Sequence, residues 1–397
     1  MPDRQITVLY VHSSAELYGS DVALLNLVTR LPETIRPIVV LPEEGPLSER
    51  LRARGITTKA FPLAVPRRYY LHPMRLHRLL LLPVEFLVCW RRMRRLIRTE
   101  RVDIVHVNVS ILVGPALAAR LSGAPLVWHW REVLPEQGLW RNLTIGVAER
   151  WAAQILCISN AVRAQFPDKS KASVVFDAVV PDEAQQTDVG LMRREFGLKN
   201  GDFCIGTVGR LQDRKGQDVL LRAASRVLQR FPNTTFLIVG DVYKRNVRAR
   251  EALERLAEAM GIRERVVFTG FRADIRAIMD VLDVFVLPVK LPEGFGIVQI
   301  EAMLKGKPVI ASKIGGSLDV VVAGATGFLV PPNDPAILAE KIIVLLSDET
   351  LRAAMGRRGR QRVLERFTIE RQVQEVVSIY SAVVQKDGLD AVPAGLP

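Results

Sequence analysis

The chain has 397 residues, 49% of them hydrophobic and 24% charged, and carries a formal net charge of +13. That length exceeds one ordinary core and suits two domains of roughly 200 residues each, and the composition excludes a disordered chain or a disulfide scaffold. Cys89, Cys157 and Cys204 stand apart with no paired metal-ligand or redox spacing, which points to a reducing cytoplasm.

The first element is Ile6–Val11, an apolar run too short for the core of a signal peptide. The loop His12–Asp21 follows, with a helix expected over Asp21–Leu31. Gly19 would let backbone approach a ligand closely, and free amides at the helix start attract anions. The same residues also fit an ordinary strand–helix turn capped by Ser20. After the strand Pro37–Leu41 comes the longest apolar run, Leu79–Trp90, which contains Pro83 and Glu85. It falls short of the about 20 apolar residues that a membrane-spanning helix needs. From Arg67 to Arg101 there are ten arginines against Glu85 and Glu100, a local balance of +8. Phe86, Trp90, Met93 and Ile97 recur at helical spacing there, with Arg91, Arg94, Arg95 and Arg98 on another face. Such a helix either lies on an anionic membrane surface or packs its apolar stripe on a sheet with the arginines in water. The expected location is the cytoplasm, with the inner face of the membrane as the surface this segment would meet.

The remaining strands of the first half are Ile104–Val107, Leu126–His129 and Ile155–Ile158, before a polar boundary near Pro181–Lys199. The second half gives Phe203–Val208, Thr235–Val239, Val266–Thr269, Val284–Leu287 and Pro308–Ala311, with helical patterns such as Asp218–Arg230 between them. Strands apolar on both faces and separated by helices imply parallel sheets covered on both sides. The division expected is an N-terminal domain over 1–185, a second over 200–367, a closing helix over 368–386 and a disordered tail over 387–397.

Two segments of the second half carry the chemistry. Strand Phe203–Val208 runs into Gly209–Gly216, where Arg210 offers a fork of donors and Lys215 a point charge. Both suit a diphosphate at the end of a parallel strand, although a solvated basic loop reads the same way. Pro292–Ala302 is more specific. Glu293 precedes a helix expected to begin near Phe295, so the amides of Phe295, Gly296 and Ile297 lack intrahelical partners and can donate to oxygens. Glu301 lies one turn beyond Ile297 on the same face, where a carboxylate accepts from two vicinal hydroxyls such as those of a ribose. No Asp-x-Asp occurs, and two cations with a helix dipole can stabilise a leaving diphosphate, so no metal and no cofactor is expected.

The segment Glu293–Met303, the loop Gly209–Gly216 and the stretch Gly324–Pro335 together resemble the family-4 glycosyltransferases of the GT-B fold. That resemblance runs from the first strand to the last helix. It implies an α/β architecture of two Rossmann-like doubly wound domains facing across a cleft, the C-terminal helix crossing back to the first domain. It also implies a retaining transferase that moves a sugar from a UDP- or GDP-sugar to a glycan or lipid-linked acceptor of the cell envelope. On that basis Arg210 and Lys215 hold the diphosphate, Glu293 faces the donor sugar and Glu301 holds the ribose. Gly19 turns its amide to the diphosphate, and His129 of Trp128-His129-Trp130-Arg131-Glu132 stands beside the transferred sugar. Three positions depart from the family pattern. Tyr18-Gly19 replaces a glycine pair, His129 is not followed by aspartate, and Asp319 stands where glutamate is usual after Gly315-Gly316. The competing readings are a nucleotide-sugar epimerase of the same architecture, which would turn over donor without acceptor, and a basic nucleic-acid-binding protein. Against the latter stand 6% aromatics and no recognised binding module, so no nucleic acid is expected. Phe271 and Arg272 are candidate neighbours of the nucleotide base by position alone.

Overall fold

The structure is a computed structural model that describes residues 5–64, 82–135, 138–181, 187–242 and 247–390. The chain divides into two compact units, Met1–Ala178 with Ile369–Pro397, and Val179–Thr368.

In the first unit the described strands are β1 (Ile6–Val11), β2 (Ile35–Leu41), β3 (Thr57–Ala60), β4 (Ile104–Val107), β5 (Leu126–Trp130), β6 (Gln154–Cys157) and β7 (Ala172–Val174). They form one sheet in the order β3-β2-β1-β4-β5-β6-β7, parallel at every pairing. Val8–Val11 and Ile38–Leu41 are fully buried, because helices cover both faces of a parallel sheet. Each such side chain contributes about 1.5–3 kcal/mol relative to exposure. The closing helix Ile369–Asp390 belongs to this unit. Buried Tyr380 anchors it through bonds to His106 Nδ1 at 2.6 Å and Tyr10 Oη at 2.7 Å, and Gln372 donates to the Phe176 carbonyl at 2.9 Å.

In the second unit β8 (Phe203–Val208), β9 (Thr234–Val239), β10 (Val266–Gly270), β11 (Val284–Leu287), β12 (Val309–Ser312) and β13 (Gly327–Val330) make a sheet in the order β10-β9-β8-β11-β12-β13. All its pairings are parallel. The helices Gln217–Arg230 and Pro335–Ser347 press Leu220, Ala224, Leu338 and Ile342 into its core.

Several expectations shift. Strands β3, β7 and β13 escape the sequence pattern because they are three or four residues long and carry polar or small positions such as Thr57, Lys59, Ser173 and Gly327. Strand β5 runs one residue further than expected, to Trp130, so His129 lies inside it. The closing helix extends to Asp390, four residues into the segment expected to be disordered. The rest of that tail, 391–397, lies outside the described residues.

The basic segment is helical over Leu82–Thr99, while 67–81 lies outside the described residues. Its buried line is Cys89, Met93 and Ile97. Phe86 and Trp90, expected in that line, are only half-buried. Arg94, expected among the solvated arginines, instead lies over the Trp90 ring at 5.6 Å. Among the described residues no helix is long and apolar enough to cross a membrane.

Candidate functional site

In an open parallel sheet, ligands bind beyond the carboxyl ends of the strands where the order of connections reverses. In the second unit that point lies between the neighbours β8 and β11. The loops leaving these two strands are Gly209–Gly216 and Pro288–Gly296, the segments that carry the predicted donor-site residues.

The structure locks those loops together. The first closes in a 3-10 turn, Asp213–Lys215, and Gly216 follows at φ 69°. A Cβ on Gly216 would lie 1.8 Å from the Pro288 carbonyl oxygen, so only glycine permits this approach. The Lys290 amide donates to the Arg214 carbonyl at 2.9 Å. Lys290 Nζ bridges Asp213 Oδ1 at 2.6 Å and Asp218 Oδ2 at 2.8 Å. Burial works against the Lys290 charge, but these two carboxylates raise its pKa overall. Lys215 Nζ forms an ion pair with Glu293 Oε1, while Glu293 Oε2 is buried without a hydrogen-bond partner among the described residues. The two residues assigned to diphosphate and sugar are therefore neighbours. Arg210 is exposed beside them and its carbonyl accepts from Gln217 Nε2 at 2.9 Å.

The helix after Glu293 starts at Ile297, two residues later than expected, with Gly296 at φ 79° and no side-chain cap. The start is displaced because Phe295 turns inward: its ring is 2% exposed and meets Phe367 edge-on at 5.6 Å. Gln299, also buried, donates to the Phe295 carbonyl at 3.0 Å. The side chain of Phe295 thus supports the loop, leaving Gly296 and Ile297 at its mouth. Behind them the Gly316 amide donates to the Glu293 carbonyl at 2.9 Å. A Cβ on Gly315, whose φ is 60°, would come within 2.4 Å of that same carbonyl oxygen. Glu301 is half-buried one turn into the helix. Burial pushes its carboxyl up to about 7, with the charge of Arg276 pulling the other way. Of the two candidate base neighbours, Phe271 is 63% exposed. Arg272 is committed elsewhere, paired with Glu195 and with Asp274 at 2.6 Å.

In the first unit the reversal lies between β1 and β4, and the loop after β1 carries Gly19. The helix begins at Gly19 itself, two residues earlier than expected, and Tyr18 rather than Ser20 is its cap residue. Asp21 replaces the Ser20 cap by accepting from the Tyr18 amide at 2.8 Å. Its other oxygen pairs with His12 Nε2 at 2.6 Å, and Asn108 meets His12 Nδ1 at 3.0 Å. This buried pair spans nine residues of irregular loop, and no sequence period signals it. Gly19 is exposed at the helix start.

His129, expected as the last residue of its strand, is one residue inside it. It lies within β5, 1% exposed, its ring 5.4 Å from that of His106. Neither ring nitrogen has a hydrogen-bond partner among the described residues. Burial, together with the Arg131 charge and His106, holds its pKa well below the usual value, so the ring is neutral. The residues that follow the strand end are Arg131, paired with Asp177 at 2.5 Å, and Glu132, which accepts from Ser110 Oγ at 2.6 Å. Sequence reasoning gave neither a role. His72 and His77 lie outside the described residues.

This geometry defines a class: two doubly wound units, the second holding a cation–carboxylate pair at the mouth of an uncapped helix. The family comparison agrees. Residues 188–362 match the family described as glycosyl transferases group 1, and residues 19–171 match the glycosyl transferase 4-like domain. The chain belongs to this family.

Among its relatives is a D-inositol 3-phosphate glycosyltransferase of Corynebacterium urealyticum, 35% identical over 48% of this chain and 46% of that protein. The chain thus aligns with about half the length of that relative. A UDP-Gal:alpha-D-GlcNAc-diphosphoundecaprenol alpha-1,3-galactosyltransferase of Escherichia coli is 28% identical over 73% of this chain and 78% of its own length. The Anabaena protein HepE, solved in complex with UDP and glucose, superposes with a TM-score of 0.82 at 25% identity. That match covers 95% of this chain and 99% of HepE, and the two-sheet architecture is that of the GT-B fold.

Proposed function

We propose that the chain transfers a sugar from a UDP- or GDP-sugar, with retention of anomeric configuration and without metal, to a lipid-linked or polysaccharide precursor of the cell envelope. The observation that carries this reading is the meeting of Lys215 and Glu293 where β8 and β11 diverge, at the foot of an uncapped helix. A donor diphosphate would take Lys215, Arg210 and the amides of Gly296 and Ile297. The unpartnered Glu293 Oε2 would accept from a sugar hydroxyl, and Glu301 from the ribose. Because Glu293 binds hydroxyls rather than attacking carbon, the acceptor attacks on the face the diphosphate leaves, through an oxocarbenium-like state, and the donor phosphate takes its proton. Charge stabilisation of the departing diphosphate supplies most of the rate. His129 enters this reading only as a neutral ring, and its burial within β5 against the His106 ring speaks for core packing instead.

The lipid-linked acceptor draws support from the diphosphoundecaprenol named for the Escherichia coli relative and from the outer face of Leu82–Thr99. Val84, Leu87, Arg91, Arg95 and Arg98 are exposed at spacings of three and four, an apolar start continuing into a cationic stripe, which suits an anionic membrane surface. Thermal-shift screening against UDP-, GDP- and ADP-sugars tests the donor, since a ligand that binds only the folded state raises its stability. Turnover with the best donor must then require an acceptor; donor consumed equally well without one would point to an epimerase. If no sugar nucleotide stabilised the chain, the reading would be lost.

A further inference from the structure

The donor-site loops Gly209–Gly216 and Pro288–Gly296, together with Gln217 and Asp218 at the start of the helix that follows the first, carry four cations against three carboxylates. Two of those carboxylates, Asp213 and Asp218, bracket Lys215 in sequence, where a bound diphosphate would feel their repulsion. Lys290 spans both of them at 2.6 and 2.8 Å. Its side chain is 18% exposed and that of Asp218 27%, so water screens the arm to Asp218 less than a surface pair, while the arm to Asp213, 89% exposed, is screened more. The Arg214 carbonyl is held by the backbone of Lys290, so one tie between the loops survives without the ammonium, whose bridge to Asp213 and Asp218 adds a charge contact.

We propose that Lys290 is a positioning residue of the donor site: it offsets one of the two negative charges of Asp213 and Asp218, so that the two loops together present net positive charge to a diphosphate. This inference rests on the function proposed above. Removing Lys290 leaves cations and carboxylates equal in number, whereas removing both aspartates frees Lys290 as an additional cation beside the site.

The test is calorimetric titration of UDP into the full chain, with GDP and ADP substituted if UDP gives no heat. Lys290→Met is expected to weaken binding about threefold, and Asp213→Asn with Asp218→Asn to tighten it about tenfold, since one unit charge is removed in the first and two in the second. In the Asp213→Asn, Asp218→Asn background, Lys290→Met should again cost about threefold, because the contributions of fixed charges add. Raising the salt concentration should shrink all three differences. A loss on Lys290→Met that vanishes once the aspartates are gone, or that persists undiminished at high salt, would overturn the proposal, since it would mark the bridge as a structural tie. Should Lys290→Met not fold, the doubly substituted aspartate variant decides alone: unchanged or weaker binding overturns the inference. Lys215→Ala serves as the separate control. If it binds UDP as the native chain does, the donor-site reading fails; if it is crippled while Lys290→Met is normal, only the inference about Lys290 fails.

Discussion

Lys215 and Glu293 are 78 positions apart in sequence, and each is assigned to a different part of the donor. Their pairing means that a diphosphate must displace or share the ammonium. Lys215→Ala is therefore expected to lower kcat/KM for the donor by about 10²–10³, the size seen when one group stabilising a developing anion is lost. Steady-state kinetics at varied donor concentration would measure it, and near-normal turnover would refute the assignment. Glu301 gives a pH signature. Its folded pKa of about 7 lies above the ordinary carboxylate value of 4.5, so the folded ligand-free chain keeps a proton that the unfolded chain has released. The stability this proton confers is fully present below pH 4.5 and is lost as pH rises through about 7. The ionised form is the one that accepts two ribose hydroxyls, so donor affinity should rise across the same interval while ligand-free stability falls. Glu301→Gln should flatten both trends, as read from melting curves and titrations between about pH 5 and pH 8. His129 was legible as a residue near the end of a strand but not as a buried one. Its burial one residue inside β5, with its ring 5.4 Å from that of His106 on the neighbouring strand, depends on a pairing that the local pattern could not supply. His129→Gln should accordingly lower the melting temperature while leaving kcat per folded molecule within about threefold. A large loss of kcat without loss of stability would return it to the catalytic set.

At the scale of elements, the loop holding Glu293 is shaped from behind by Gly315 and Gly316. Gly315→Ala would place a methyl against the Glu293 carbonyl at a positive φ. The backbone term alone costs about 1–2 kcal/mol, with the clash in addition. A fall in melting temperature of several degrees and a raised KM for donor are the expected outcomes; a variant with native stability and KM would show that this backing is dispensable. The helix Leu82–Thr99 makes the opposite lesson, because its amphipathic period was visible but the direction of its faces was not. The interior takes Cys89, Met93 and Ile97, leaving Val84 and Leu87 outward beside the arginines. Reversing the charge of Arg91, Arg95 and Arg98 should abolish co-sedimentation with anionic liposomes while sparing turnover of a soluble acceptor. Binding to liposomes that survives the reversal would exclude this face as the docking surface.

For the whole molecule, the alternation of apolar strands with amphipathic helices was enough to specify two parallel doubly wound units, because a strand buried on both faces must be apolar throughout and its parallel neighbour must be reached through a helix. The spacing of Arg210, Lys215, Glu293 and Glu301 on that frame was equally local, since each sits a fixed number of residues from a strand end. The remainder required the folded chain. The short strands β3, β7 and β13 exist only because a neighbouring strand offers them hydrogen bonds. The His12–Asp21 couple, the Lys290 bridge and the packing of Tyr380 on His106 join residues that are distant in sequence or separated by irregular backbone. Sequence thus determined what recurs with the period of a helix or strand, and tertiary structure decided which polar groups meet, because a side-chain contact between loops has no period to read.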